Sequence, residues 1–147
     1  MKKRILAILL VSAMLKPAFA DDEEIALEVI DAASEDNSGI QLDQFKWTAR
    51  PFVVLAESQS DPRFSEQMAL LQKDPAPLAE RDVVVLIDAD PGANSALRKK
   101  LRPRGFMLVL IGKDGGVKLR KPFPWSVREI VRAIDKLPIR QQELRTR

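Results

Sequence analysis

"LIDADPGANSALRKKLRPRGFMLVLIGKDGGVKLR", residues 86–120, decides the fold. It begins on the tail of "DVVVLID" (82–88), a short β-branched run that predicts a buried strand. "ADPG" (89–92) reads as a turn. Leu97 and Leu101 then predict a short helix with Arg98, Lys99 and Lys100 on its wet side. "FMLVLI" (106–111) is apolar on both alternating faces, which predicts a central strand. Asp114-Gly115 supplies the positive φ of a hairpin turn. Beyond it, period two sends Val117 and Leu119 to the core and Lys118 and Arg120 to water. A phosphate-cradling loop would lead into a helix N-terminus instead. These glycines lead into a strand.

Working outward, "PFVVLA" (51–56) predicts another buried strand. Asp61 and Pro62 are an N-cap and a first-turn proline for a helix whose apolar face is Phe64, Met68 and Leu71, ended by Pro75 and Pro77. Downstream, Ser126 and Glu129 form a capping box before the helix face Val127, Ile130, Val131 and Ile134, which Pro138 stops. Ahead of all this, Ala26, Val29, Ile30 and Ala33 predict a short N-terminal helix, and "SEDNSG" (34–39) a loop. The expected architecture is α/β: a central mixed β-sheet flanked by helices over residues 42–147, preceded by a helix and acidic loop over 21–41.

The first twenty residues read as a signal peptide, with a basic start (Lys2, Lys3, Arg4), an eleven-residue apolar run and Ala18-Phe19-Ala20 before the expected cleavage. That run is too short to span a bilayer, which needs about 20 residues. The predicted product, 21–147, has no transmembrane segment and belongs in the periplasm or outside the cell. Cleavage removes four cations and no acid, so the net charge moves from +3 to −1. Residues 21–97 carry 17 acids against five bases, and residues 98–147 carry 15 bases against four acids. Neutralisation of one half by the other is the plainest reading of that asymmetry.

Cys, His and Tyr are absent from the sequence. Disulfides, thiol redox chemistry, Ser-His-Asp triads and zinc sites built on His or Cys are thereby excluded.

The order of elements from Pro51 onward resembles thioredoxin. So do the I-D-x-x-P-G turn (87–92), the R-G-hydrophobic step (104–106) and the K-D-G hairpin (113–115). Where thioredoxins carry the Cys-x-x-Cys pair, ungapped alignment of "LAESQSDPRF" (55–64) places Gln59 and Pro62. Their buried proton-carrying carboxylate falls at Val53, and their cis-proline at Met107, where a trans bond is expected. The resemblance therefore implies the fold without disulfide oxidoreductase activity. "FKWTARP", "AERDVVVL", "LIGKDGGVKLR" and "IDKLPIRQQE" further resemble an exported bacterial family of unknown function with a thioredoxin-like fold. The same domain occurs in sushi-repeat and coiled-coil-domain extracellular matrix proteins of animals. That likeness runs from Leu42 to Glu143, departing at Leu137 and Ile139, where the family favours methionine.

By the thioredoxin resemblance, the candidate binding surface is Ser58, Gln59, Ser60, Asp61 and Arg63, with Phe106 and Met107 opposite. A helix start with hydroxyls and an arginine suits an anionic group or a peptide backbone, although Ser-x-Ser-Asp-Pro is also an ordinary capping sequence. A second candidate is a basic patch of Arg98, Lys99, Lys100, Arg102, Arg104, Lys113, Lys118 and Arg120. It has no interleaved aromatics, so no nucleic acid is expected. Asp88 and Asp90 fall short of the roughly six oxygens a calcium or magnesium ion requires. No metal, cofactor or catalytic residue is assigned. Trp47 and Trp125 read as core or hinge residues, and Arg140 and Glu143 as a clamp for the tail.

The function expected is a redox-inactive binding module for an envelope protein, peptide or anionic surface component. The alternatives are a cysteine-independent enzyme at the 58–63 helix start and a self-associating envelope protein.

Overall fold

The computed structural model describes residues 26–147; the signal-peptide reading and the acidic residues 21–25 lie outside them. Five strands form one sheet: β1 (Val29–Asp31), β2 (Arg50–Leu55), β3 (Val83–Asp88), β4 (Met107–Ile111) and β5 (Val117–Lys121). Their order is β1-β3-β2-β4-β5. β3 runs parallel to both β1 and β2, whereas β4 is antiparallel to β2 and β5.

Strand periodicity divides the core into two layers. Phe52, Val54, Val83, Val85, Leu108 and Leu110 face α1 (Pro62–Lys73), the single turn α2 (Ala76–Ala79) and α4 (Val127–Asp135). Val53, Leu55, Val84, Leu86, Val109 and Ile111 face α3 (Ala96–Leu101) and the 3-10 turn Leu42–Phe45. Every residue of β2 is buried, and β2, with two strands on one side and two on the other, is the middle of the sheet. "FMLVLI" supplies the interior strand β4, as its two apolar faces require.

The caps read from the sequence are present. Asp61 accepts the Arg63 N–H, and the Ser126–Glu129 box is closed in both directions. Gln67 is fully buried, but its amide is satisfied on both sides: Nε2 donates to the Trp125 carbonyl at 3.0 Å and Oε1 accepts the Trp125 N–H at 2.8 Å.

Three expectations need correction. The predicted N-terminal helix is instead the edge strand β1: Leu27 packs into one layer, Ile30 and Ala32 into the other, an alternation that parallel pairing with β3 rewards. Val117 is 47% exposed, not in the core. The register slips between Leu110 and Ile111, which pair with Leu119 and Val117, and this bulge turns Val117 outward. The helix that Pro138 was expected to stop does end before it, at Asp135, but it is not the last: Pro138 opens a further helix, α5 (Pro138–Arg145), at the position where its missing N–H costs nothing.

Candidate functional site

At the start of α1 the sequence-predicted residues separate. Asp61 Oδ1 accepts the Arg63 backbone N–H at 2.9 Å, and the Arg63 guanidinium folds back on the same carboxylate at 2.9 and 3.1 Å. Hydrogen bonding from Arg63 holds the Asp61 carboxyl below the usual carboxylate range and raises Arg63 in return. The guanidinium also sits 5.4 Å above the Phe106 ring. Arg63, though half exposed, is therefore already paired with a carboxylate of its own chain. Ser58 Oγ accepts the Ser60 N–H at 3.0 Å, a turn-forming contact that leaves the hydroxyl without a base.

Of the two residues expected opposite, Phe106 meets Arg63 through its ring, but Met107 does not converge on this surface. Phe106 is 1% exposed within the α1–α4 layer, and Met107 packs on the opposite layer, beside Leu55 in the sheet. Adjacent residues entering a strand point to opposite faces, so one groove cannot hold both. What the structure offers instead is a cleft of about 340 Å³ outside the carboxyl ends of β1 and β3. Gln59 and Phe64 form one wall, and Asp31, Ile87 and Asp90 the other. Crevices at carboxyl strand ends are where open α/β sheets commonly hold ligands. Gln59 is the one residue of the expected surface that lines it.

Beside the cleft lies a sealed polar knot. The Asp88 carboxylate is fully buried and accepts from Ser95 Oγ, from the Asp90 N–H at 3.0 Å and from Arg98 Nη2 at 3.1 Å. Arg98 Nη2 also reaches the Ala56 carbonyl at 2.8 Å, so the knot ties α3 to the ends of β2 and β3. Arg98 is thus not on the wet side of its helix, and Asp88 with Asp90 is a turn rather than a cation site.

The basic patch also divides. Lys113 bonds Asp82 and Glu143, Lys118 bonds Asp114, and Arg120 Nη1 donates to the Leu101 carbonyl. Lys99, Lys100, Arg102 and Arg104 remain exposed at the end of α3, with no carboxylate within ion-pair distance among the described residues.

The larger charged assembly went unrecognised in the sequence. It lies at the other end of the sheet, where β2 and β3 begin. Arg50, 1% exposed, donates to the Arg81 carbonyl at 2.8 Å and to Glu143 Oε1 at 3.0 Å. Glu143 also accepts from Lys113 at 2.8 Å and from the buried Arg140 at 3.3 Å. Arg81 grips Asp135 bidentately at 2.8 and 2.9 Å. Burial alone would raise the Glu143 carboxyl, but hydrogen bonds from Lys113 and Arg50 outweigh it and pull the group down to about 2. Arg140 Nε lies 3.5 Å from Asp135 Oδ1, within ion-pair distance but outside hydrogen-bond geometry. Arg140 and Glu143 do fasten the tail, as their position suggested. Their partners lie up to 93 residues away, which no spacing rule reveals.

Trp47 is the other surprise at this pole. It is 68% exposed, with φ 65, and its N–H donates to the Lys113 carbonyl at 2.8 Å. It is neither core nor covered. Trp125, by contrast, packs against the α1–α4 layer.

Chloroplastic thioredoxin z superposes with a TM-score of 0.55 at 19% identity, covering 76% of this chain and 96% of that one. The reduced 2-Cys peroxiredoxin of Plasmodium vivax gives 0.55 at 17% identity, covering 71% and 85%. The fold is thioredoxin-like. In sequence the chain is similar to coiled-coil domain-containing protein 80 of Danio rerio, 28% identical over an alignment 133 positions long that covers 70% of this chain. It spans only 15% of that relative's length. The four stretches that supply Arg50, Arg81, Lys113 and Glu143 all fall within the segment matched by one family model, residues 41–143. On that match the chain belongs to the family described as domain of unknown function DUF4174.

Proposed function

We propose that this chain is an exported, redox-inactive binding module that seats an extended peptide segment of an envelope protein in the cleft beside α1. The observation that carries the reading is Gln59. It stands where the resemblance to thioredoxin would put the first cysteine, and it lines a cleft of about 340 Å³. The chain has no cysteine, so a ligand held there meets an amide rather than a thiolate.

Charge narrows the ligand. Two carboxylates, Asp31 and Asp90, line the cleft, and Arg63 is neutralised by Asp61. A peptide with a neutral or basic side chain fits that wall better than an anion. Backbone amides of such a segment find hydrogen-bond partners in Gln59 and Ser34, and its apolar side chains find Phe64 and Ile87.

The test is amide chemical-shift mapping with envelope-derived peptides at low and moderate salt. Saturable shifts at Gln59, Phe64 and Ile87 that Gln59→Ala and Phe64→Ala abolish are the expected result. Shifts restricted to Lys99–Arg104 and erased by salt would replace this reading with an anionic surface component, favoured by the exposed cations there. Turnover lost in a Ser58→Ala, Ser60→Ala, Asp61→Asn triple variant would replace it with an enzyme.

A further inference from the structure

We infer that the pole opposite the cleft holds a second site, for a small carboxylate, between the 112–116 hairpin and the junction of α4 and α5. A cavity of about 80 Å³ lies there with Arg50 at its lining. Its charged lining is Arg50, Lys113, Lys118 and Asp114; Glu143 bonds Arg50 and Lys113 from beside it, and Lys118 pairs with Asp114. Leu137 and Ile139 make the facing wall apolar.

Arg50 is what makes the site a built one. Its side chain is 1% exposed, yet only two of its bonds are to protein: one to the Arg81 carbonyl and one to Glu143. A guanidinium carries five N–H donors in a fixed fork, which leaves donors without a protein acceptor among the described residues. Nη1 and Nη2 are each partnered once, so the spare N–H groups are open to a bound oxyanion or to water. The same cations already hold one carboxylate, that of Glu143, strongly in its ionised form. The surroundings are tuned for that chemistry.

Size and shape select among anions. A water molecule's share of liquid volume is about 30 Å³, so the cavity has room for two or three waters. A carboxylate bearing one or two carbons fills that space, with its planar end on the guanidinium and its alkyl end on Leu137 and Ile139. A phosphate dianion would gain nothing from the apolar wall and would face Asp114. The inference is independent of the cleft reading, because the two sites share no lining residue.

The experiment uses the isotope-labelled chain in the form its producing cell accumulates. Sodium propionate, inorganic phosphate and a dipeptide with a free C-terminus are titrated separately, with sodium chloride at matched ionic strength as reference. The expected result is saturable amide shifts at Gly112, Lys113 and Ile139 with propionate, weakened about tenfold in Lys118→Met, the loss of one charge-assisted hydrogen bond. Lys118 is partly exposed and pairs only with Asp114, so this variant keeps the fold. Should the hairpin nevertheless shift, Ile139→Trp fills the cavity from the other wall and must abolish the response. Tighter binding of the dipeptide than of propionate would mark the source as a chain terminus. Shifts equal in chloride, tighter binding of phosphate, or a propionate response untouched by both variants would each overturn the inference.

Discussion

Glu143 accepts from Lys113, Arg50 and Arg140, and through that carboxylate the tail is tied to the start of β2 and to the hairpin. Its folded pKa of about 2 lies below the ordinary 4.5. The stabilisation is therefore complete above pH 4.5 and lost as pH falls towards 2, with an upper bound of ~3 kcal/mol before solvent screening. Asp135, whose pKa is lowered by the Arg81 hydrogen bond, adds loss in the same acid direction. Urea titrations of Glu143→Gln should show a deficit at pH 7 that shrinks between pH 4 and pH 2. Residue by residue, the sequence disclosed identity but not company. Arg98 was assigned to water because Leu97 and Leu101 define the helix face, yet Asp88, ten residues earlier, draws it inward. Gln59 was recognisable only through its alignment with the first cysteine of thioredoxin.

Among the elements, those governed by nearest neighbours were legible. The capping box, the Asp61 cap and the Asp114-Gly115 turn all depend on contacts within four residues. Ser126→Ala should cost about 1 kcal/mol, read as a lower urea midpoint at unchanged slope. β1 was not legible, because "ALEVIDAAS" satisfies both a helical and an alternating pattern, and β3 decides between them. Nor was α5, a polar helix with Arg140 its one buried residue. Ending the chain at Lys136 would leave Arg50 and Lys113 without Glu143. Breaking a buried pair this way costs about 3–5 kcal/mol, so we expect the thermal midpoint to fall by about 10 °C or more by differential scanning calorimetry.

At the scale of the whole molecule, the fold was readable because strands buried between two apolar layers appear as unbroken apolar runs. The charged pole was not, since its members come from four separate stretches that only the sheet and α5 bring together. Composition gives one prediction at this scale. If the leader is removed after Ala20, isoelectric focusing should place the processed chain on the acid side of neutrality; a value near 9.3 would mean that it is retained.

Trp47 and Trp125 are the chain's only two tryptophans, and the fold puts them in unlike surroundings. Trp47 stands in water, bonded to Lys113, whereas Trp125 is partly covered, with the Lys121 ammonium 5.2 Å from its ring. The molecule consequently carries a pair of intrinsic fluorophores. One is red-shifted and open to collisional quenchers at the hairpin end; the other is shielded where α1 meets α4. Light emitted by the unlabelled protein thus separates events at these two places, with no dye and no substitution.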